Sequence, residues 1–177
     1  LVDTAGKLSQ NRRGALIVVD LGSDLRPEDF LYSGTNIEAR LSTDLLINLF
    51  ATDTPLHDGA VLVKGNKIIS AGVILPLSRQ GISRYGTRHL AALGITERFD
   101  RCICIVVSEE TGTLSLANQG KLERPITSSR LQELLINLIG NQNSIITSKS
   151  SLGKNALSQK TNLSDNIISD INEKETE

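Results

Sequence analysis

Two apolar, β-rich runs separated by a Gly-Asn pair constrain this chain more than any other feature. The first run covers residues 61–63 and the second covers 67–75, with Gly65 and Asn66 between them. These two residue types tolerate positive φ at little cost, which is typical of a two-residue β-hairpin turn. The sequence therefore predicts a hairpin over residues 60–75 whose first strand lies inside a sheet.

A polar cluster, residues 54–59, leads directly into the first strand of this hairpin. It contains His57, Asp58 and Gly59. Two adjacent ionisable groups are costly inside a core, whereas at a strand end they suit a charged ligand or a metal ion. The same residues are also typical of a plain turn, in which Pro55 fixes the bend and Asp58 caps a backbone amide. The pattern alone leaves both interpretations open.

A second polar cluster, Gly86-Thr87-Arg88-His89, precedes a short helical pattern. Gly86 and Thr87 favour a helix start, and Gly94 is predicted to end the helix. Arg88 and His89 then lie in the first turn, where free backbone N–H groups favour an anion. A guanidinium can hold phosphate through two parallel hydrogen bonds, so this segment is a candidate phosphate site. Taken alone it is a weak motif, because most surface Arg-His pairs are only solvated.

Four motifs occur in a fixed order, and together they are more specific than any one of them. They are His-Asp-Gly-Ala at 57–60, Leu-Pro-Leu-Ser at 75–78, Gly-Thr-Arg-His at 86–89 and Val-Ser-Glu-Glu-Thr-Gly at 107–112. This series resembles the diadenylate cyclase domain, which joins two ATP molecules into cyclic di-AMP. It is most similar to the membrane-anchored type of that family. The resemblance runs from about Gly14 to about Gly140.

The resemblance implies a fold and a set of site residues. The expected fold is a single α/β (α+β) domain, residues 1–140, in which a mixed, twisted central sheet of about seven strands is flanked by about five helices. The implied catalytic residues are Asp58, Gly59, Ala60, Arg88 and His89. The implied nucleotide-binding residues are Ile74, Leu75, Gly86, Thr87, Arg88, His89, Ser108, Glu109 and Glu110.

Within this set, the resemblance implies that Asp58 activates or orients the attacking 3′-hydroxyl of ATP. A carboxylate with an ordinary pKa near ~3.9 is a poor base by itself, so we expect help from a divalent metal ion, Mn²⁺, Co²⁺ or Mg²⁺. His57 and Asp58 are the candidate metal ligands, since neutral imidazole suits Mn²⁺ or Co²⁺. The residue pattern equally allows His57 to be a hydrogen-bonded turn histidine. Gly59 would let the backbone approach a ligand closely.

The remaining site residues would contact the nucleotide. By the resemblance, Ile74 and Leu75 flank adenine, residues 87–89 bind the phosphates, and Ser108 and Glu109 reach ribose, phosphate or metal. Each also has a purely structural interpretation. Ile74 and Leu75 are compatible with ordinary core, and Ser108 and Glu109 with a polar turn.

One position departs from the family pattern. The usual Arg-His-Arg of the family is Arg88-His89-Leu90 here. If position 90 faces phosphate, a cation is missing and turnover should be reduced. On a helix, position 90 can equally point into the core, in which case Leu90 is a packing residue.

The resemblance also implies an assembly, because the reaction joins two ATP molecules and the chain carries one copy of the motif set. We therefore expect a homodimer whose two sites meet face to face, with cations between the repelling triphosphates. Three alternatives remain open at this point. They are an ATP-binding sensor with little or no turnover, a metal-dependent phosphohydrolase, and a scaffold module without a ligand.

The composition argues against some classes of binding partner. The net charge of −1 leaves no basic footprint for nucleic acid, and 3% aromatic residues provide few base-stacking surfaces. Cys102 and Cys104 are too close for an easy disulfide, and two ligands do not make a structural zinc site. We expect reduced core thiols in a cytosolic protein.

No apolar run approaches the roughly 20 residues that span a bilayer, and no signal peptide is visible. The chain begins at Leu1 rather than Met, so we expect a soluble fragment of a longer protein. The resemblance implies transmembrane helices ahead of the domain, which would place it at the cytoplasmic side of the cell membrane.

The other elements follow from hydrophobic periodicity. Strands are predicted at 15–19, 37–41, 102–107 and 113–117. Helices are predicted weakly over 1–12, after a cap at Ser42 or Thr43, and over 128–139, where Ser129 and Gln132 suggest a capping box. Residues 141–177 are polar and are expected to be a mostly disordered tail.

Overall fold

The computed structural model of this 177-residue chain describes residues 1–80 and 83–140. Within these residues, seven strands form one mixed sheet, accompanied by four α-helices and a short 3₁₀ helix. The predicted α/β fold with a mixed sheet of seven strands is confirmed. The predicted tail, 141–177, lies outside the described residues.

The strands are β1 (Ala15–Asp20), β2 (Thr35–Arg40), β3 (Ala60–Lys64), β4 (Lys67–Val73), β5 (Cys102–Val107), β6 (Leu114–Asn118) and β7 (Lys121–Ile126). The helices are α1 (Val2–Gln10), α2 (Thr43–Leu49), α3 (Thr87–Arg98) and α4, which covers residues 128–140; the 3₁₀ helix is Pro27–Asp29. Leu1–Leu134 form one compact unit that contains the whole sheet, and 135–140, the described part of a second unit, is helical. None of the described helices is long and apolar enough to cross a membrane.

The strand order is β2-β4-β3-β1-β5-β6-β7, and only the β1–β3 pair is parallel among the described strands. Strand β1 runs alongside β3 and opposite to β5, so Ala15 pairs with Val107. Strand β3 runs opposite to β4, so Ala60 pairs with Val73. The starts of β1 and β3 and the ends of β4 and β5 therefore lie together, at what is hereafter called the site end of the sheet.

Burial in the core explains why the sequences of the central strands are continuous apolar runs. All six residues of β1 and all six of β5 are buried, as expected when both faces of a sheet are covered. Helix α3 contributes Ala91, Ala92 and Ile95 to a cluster with β1, β3, β4 and β5. Cys102 and Cys104 lie in this cluster and are free, which confirms the prediction that they form no disulfide.

The hairpin prediction is also confirmed. Strands β3 and β4 pair up to Lys64 and Lys67, so only Gly65 and Asn66 form the turn. Gly65 has φ +57°, a conformation that glycine adopts without a steric penalty.

Helix α3 continues past the residue at which the sequence predicts its end. Gly94 was the predicted stop, whereas α3 runs to Arg98. A Cβ at position 94 would lie 2.1 Å from the carbonyl oxygen of Pro76 and 2.8 Å from the nitrogen of Ser78. The N–H of Ser78 also donates to the carbonyl oxygen of Leu90 at 2.9 Å. The predicted stop is wrong, because close packing of a loop on the helix explains this glycine.

Helix capping is partly as predicted. Ser42 caps α2 by accepting a hydrogen bond from the backbone N–H three residues later, at 3.2 Å. For α4 the predicted capping box of Ser129 and Gln132 is wrong. The cap is Thr127, whose hydroxyl accepts from the N–H of Arg130 at 3.1 Å. Thr127 directly precedes the first helical residue, the position from which a hydroxyl reaches that N–H.

The edge strand β7 has no counterpart among the predicted strands. Its sequence, Lys-Leu-Glu-Arg-Pro-Ile, contains a proline and three charged residues, which strands seldom contain. It is exposed along most of its length. Pairing with β6 stabilises β7 as a strand, because the side chains of β7 favour a strand conformation only weakly.

The packing of Gly94 gives a direct test. We expect Gly94→Ala to lower the free energy of unfolding by about 1–3 kcal/mol, as overpacking does, despite the gain of about 1 kcal/mol in helix propensity. Gly6→Ala in α1 is the matched control, because a Cβ there meets only Ser128 Oγ, at 3.5 Å. That variant should gain stability by up to about 1 kcal/mol. Urea denaturation measures the free energy of unfolding of both variants. An equal gain in stability in the two variants would contradict the packing role of Gly94.

Candidate active site

Four loops meet at the site end of the sheet. Residues 54–59 precede β3, 74–77 follow β4, 108–112 follow β5, and the described residues 83–86 precede α3. The parallel pairing of β1 with β3 and the antiparallel pairing of their neighbours bring these loops together. All four motifs that the sequence singles out are therefore adjacent in space.

A cavity of about 410 Å³, hereafter the apolar cavity, opens at this end. Its apolar lining comprises Leu16, Val73, Ile74, Leu75, Leu77 and Ala91. His57, Asp58 and Gly59 line it as well. Leu16 and Leu75 are buried, whereas Ile74 is 40% exposed and Leu77 is 51% exposed. A buried apolar floor with an accessible apolar rim suits a flat aromatic base.

A second cavity of about 550 Å³, hereafter the polar cavity, adjoins the first. Its lining comprises Arg84, Gly86, Thr87, Arg88, His89, Val107, Ser108, Glu109, Glu110, Thr111 and Arg124. Three of these residues carry guanidinium groups and two carry carboxylates. The excess of cations in this polar cavity suits an anion that carries several oxygens.

The two cavities share Thr87, Arg88 and Glu109 in their linings. Arg88 Nη1 donates to Glu109 Oε2 at 2.9 Å, with 26% of the Arg88 side chain and 59% of the Glu109 side chain exposed. Ion pairs this exposed contribute only about 0–1 kcal/mol. A phosphate can therefore replace Glu109 as the partner of Arg88 at small cost. Arg88 Nε is buried and has no hydrogen-bond partner within the described residues.

Two glycines shape the site around these side chains. A Cβ on Gly14 would lie 2.6 Å from Arg88 Nη1 and 3.0 Å from the Cβ of Glu109, so the missing side chain makes room for the ion pair. Gly59 has φ +104°, and a Cβ there would lie 2.8 Å from the carbonyl oxygen of Val73. Backbone conformation and packing against β4 therefore require glycine at position 59 without any ligand.

The start of α3 provides unpaired backbone donors beside Arg88. Gly86 is the N-cap residue and has no side chain with which to cap the helix. The first turn, 87–90, contains no acidic residue. The partial positive charge of the helix N-terminus is thus available to an anion in the polar cavity.

The segment after β5 forms a hydrogen-bonded turn that also lines the polar cavity. The N–H of Gly112 donates to the carbonyl oxygen of Ser108 at 2.9 Å, and the N–H of Thr111 donates to Ser108 Oγ at 3.3 Å. The polar-turn interpretation is correct for the local backbone. It does not compete with a binding role, because Ser108, Glu109 and Glu110 all border the cavity.

His89 is buried although it borders the polar cavity. It is 6% exposed, and its Nε2 lies 3.2 Å from Ser115 Oγ. Burial, and after it the positive charge of Arg124, lowers the pKa of His89 below its ordinary value. The imidazole is therefore neutral near pH 7 and brings no positive charge to the polar cavity.

Leu90 is 8% exposed and is absent from the linings of both cavities. This placement supports the interpretation of Leu90 as a packing residue. Ala60, another residue of the predicted site, is fully buried in β3 and also borders neither cavity. The other predicted site residues line one cavity or both.

The protein donors for a metal ion are few. Within residues 1–80 and 83–140, no group of three or more His, Cys, Asp or Glu side chains could hold a metal ion. His57 Nδ1 is hydrogen-bonded to the carbonyl oxygen of Thr54, as the turn interpretation predicts. This bond leaves Nε2 for another partner, an arrangement common among metal-binding histidines.

Sequence reasoning missed several residues of the site. Arg84 and Arg124 line the polar cavity, and Leu16 and Ala91 line the apolar cavity. Arg84 lies outside the four motifs, and Arg124 belongs to the strand that was not predicted. No local pattern identifies either arginine, because the tertiary fold alone places β7 beside the start of α3.

An apolar cavity joined to a cation-rich cavity at a helix N-terminus defines a nucleotide-binding α/β domain. A comparison with protein-family models agrees with this class. Residues 2–122 match the model described as DAC, DisA bacterial checkpoint controller nucleotide-binding. The match covers more than half of the chain, and the chain belongs to this DAC family.

Named relatives and solved structures agree with this assignment. The chain is 47% identical over 131 residues to a diadenylate cyclase of Listeria monocytogenes, covering 73% of this chain and 47% of the relative. It is 43% identical over 130 residues to the cyclic di-AMP synthase CdaA of Bacillus subtilis, covering 72% of this chain and 46% of the relative. The crystal structure of a double mutant of DacA from Staphylococcus aureus superposes with a TM-score of 0.70 at 37% identity, covering 78% of this chain and 91% of that one.

A structure of a protein from Bacillus cereus, described as a hypothetical membrane spanning protein, superposes with a TM-score of 0.64 at 42% identity. It covers 71% of this chain and 61% of that one. The chain spans about half the length of the Listeria and Bacillus subtilis relatives.

The buried neutral state of His89 makes stability depend on pH. Because its pKa is lowered in the folded state, the unfolded chain binds a proton first as pH falls below about 6.5. The free energy of unfolding should therefore decrease from pH 7.5 to pH 5.5. His89→Gln should reduce this slope, and Arg124→Gln should reduce it in part. Urea denaturation at several pH values measures the slopes, and equal slopes in wild type and His89→Gln would contradict the assignment.

Proposed function

We propose that this chain is the catalytic domain of a diadenylate cyclase, which condenses two ATP molecules into cyclic di-AMP and releases two pyrophosphates. The observation that carries the proposal is the pair of adjoining cavities, one apolar and one cationic, with a shared wall at Arg88 and Glu109. Family membership supports it, and so do the names of the Listeria and Bacillus subtilis relatives.

The nucleotide lies across both cavities in this proposal. Adenine occupies the apolar cavity between Ile74 and the buried floor formed by Leu16 and Leu75. The phosphates extend into the polar cavity, where Arg88 exchanges Glu109 for phosphate oxygens. The N–H groups at the start of α3 donate to the same oxygens. The α-phosphate then lies near the shared wall, within reach of an attacking hydroxyl held at Asp58.

The reaction joins the 3′-oxygen of one ATP to the α-phosphorus of the other. As the new P–O bond forms, the bond from the α-phosphorus to the bridging oxygen breaks, and pyrophosphate leaves with that electron pair. Asp58 is exposed and lines the apolar cavity, where it accepts the proton of the attacking hydroxyl or orients that hydroxyl. A second, identical step in the opposite direction closes the ring. Positioning and charge neutralisation supply most of the rate.

A divalent ion fits this site only if the substrate supplies ligands. The protein offers Asp58 and His57 and, within the described residues, no third donor group of the kind that completes a metal cluster. Ions such as Mg²⁺ are commonly held by one or two carboxylates together with substrate phosphates. Asp58, with the free Nε2 of His57, would hold the ion. When bound, the ion would lower the pKa of the attacking hydroxyl and neutralise phosphate charge.

Catalysis requires two chains in this proposal, because residues 1–80 and 83–140 form one apolar and one polar cavity of the kind described and the product contains two adenosines. The two bound nucleotides must therefore face each other across a two-fold axis. A missing cation at the phosphates would favour a sensor without turnover, but Leu90 is buried and borders neither cavity. The place of the whole protein at the cytoplasmic side of a membrane is part of the proposal, supported by the likeness to the Bacillus cereus protein described as membrane spanning.

The product of ATP turnover tests the function. Incubation with ATP and Mn²⁺, Co²⁺ or Mg²⁺ should yield cyclic di-AMP and pyrophosphate by mass spectrometry. Specific activity should rise with protein concentration, because the active unit contains two chains. Formation of ADP or AMP alone would favour a phosphohydrolase, and ATP binding without any product would favour a sensor. A constant specific activity from a monomer in light scattering would contradict the two-chain mechanism.

Replacement of Asp58 should lower the rate of the chemical step and have little effect on ATP binding. Asp58→Asn keeps the size of the side chain and removes the charge that accepts a proton or holds a metal. We expect the rate of cyclic di-AMP formation to fall by at least ~10²-fold, the scale of lost general-base assistance, with ATP affinity changed little. Asp53→Asn is the matched control, because Asp53 is an exposed loop residue that borders neither cavity. Near wild-type turnover in Asp58→Asn would return Asp58 to the role of a turn residue.

A further inference from the structure

Tyr85 lies beside two guanidinium groups at the edge of the polar cavity. The Cζ of Arg84 is 5.8 Å from the centroid of the Tyr85 ring, and the Cζ of Arg124 is 5.7 Å from it. Both distances are within the roughly 6 Å at which a cation is attracted to a ring face. The ring centroids of Tyr85 and His89 are 6.3 Å apart. The three residues 84, 85 and 124 are hereafter called the tyrosine-arginine cluster.

The fold brings this cluster together from distant parts of the sequence. Arg84 and Tyr85 directly precede the N-cap of α3, whereas Arg124 comes from the edge strand β7. The register of β6 and β7 shifts between Leu114 and Leu116, opposite Arg124. Ser115, the residue inside that irregularity, contacts His89. The bulge, the start of α3 and Arg124 of β7 therefore lie close together.

The charges in the polar cavity are not balanced pair by pair. Arg88 is paired with Glu109. Across residues 1–80 and 83–140, no carboxylate lies within ion-pair distance of Arg84 or Arg124. Two like charges beside one ring repel each other, and a bound anion removes that repulsion. The cluster is thus preorganised for an anion.

We propose that Arg84 and Arg124, positioned by Tyr85, bind the β- and γ-phosphates of ATP and stabilise the departing pyrophosphate. The inference rests on the proposed function and extends it to residues outside the sequence motifs. Arg88, at the wall shared with the apolar cavity, is left for the α-phosphate. The leaving group gains negative charge as its bond to the α-phosphorus breaks, so cations beside it lower the barrier. The cluster supplies positive charge that the buried Leu90 does not.

Nucleotides that differ in phosphate number test this assignment. Isothermal titration in metal-free buffer should show that Arg84→Gln and Arg124→Gln each weaken ATP binding by at least about tenfold, the effect of losing one charged hydrogen bond. AMP binding should change by less than about twofold, since AMP lacks the two phosphates in question. Inorganic tripolyphosphate should lose affinity in parallel with ATP.

Two further variants separate positioning from folding. Tyr85→Leu should weaken ATP binding in the same direction, and Tyr85→Phe should restore it because the ring is kept. Arg98→Gln is the matched control, since the Cζ of Arg98 lies 5.5 Å from the ring centroid of Phe99 and Arg98 borders neither cavity. Its ATP affinity should equal that of wild type. Thermal melting verifies that each variant is folded.

The outcomes also distinguish this inference from the proposed function. Equal losses of ATP and AMP affinity, or no loss of either, in folded Arg84→Gln and Arg124→Gln would overturn the inference even if cyclic di-AMP is formed. If the wild type forms no cyclic di-AMP but the two variants selectively lose ATP and tripolyphosphate affinity, the inference stands as a polyphosphate subsite and the cyclase function fails.

Discussion

The parallel pairing of β1 with β3 is the constraint on which the rest of this structure depends. Every other strand pair in the described sheet is antiparallel. Reversal of β3 and its hairpin partner would move Asp58 and Ile74 to the end of the sheet opposite Ser108, and the two cavities would lose their common wall. A parallel pair needs a crossover connection, which residues 21–59 supply with β2 and α2. The continuous burial of β1 and β5 stabilises this arrangement by the hydrophobic effect.

At the site end, weak electrostatic interactions lie beside tightly packed core residues. The floor of the apolar cavity belongs to the core, as the burial of Leu16 and Leu75 shows. The Arg88–Glu109 pair, by contrast, is partly exposed and contributes little to stability. This division has a functional consequence. In the proposed function, Arg88 exchanges Glu109 for phosphate without disturbing the packing, because both side chains are partly exposed.

Local sequence predicted most of the elements, for physical reasons that can be named. The family resemblance named many residues that line the two cavities, but not Arg84, Arg124, Leu16 or Ala91. The Gly-Asn turn, the Ser42 cap and the apolar runs of β1 and β5 depend on interactions within a few residues or on simple burial. The wrongly predicted helix stop at Gly94 and the unpredicted strand β7 both involve contacts with distant parts of the chain. Gly94 looks like a helix stop by itself, but the carbonyl oxygen of Pro76 occupies the space of its side chain. Strand β7 has a poor strand sequence and exists because β6 pairs with it.

The sequence by itself determined the identity of the chemical groups: a carboxylate and an imidazole before a strand, a guanidinium at a helix start, and a hydroxyl and two carboxylates after another strand. It also determined the two-residue turn and the apolar strands, because backbone conformation and burial are encoded locally. Only the tertiary structure decided that Leu90 faces away from both cavities, and that Arg84 and Arg124 meet at Tyr85. The physical reason is that the direction of a side chain on a helix, and the distance between residues about forty positions apart in the chain, depend on how helices and strands pack against one another.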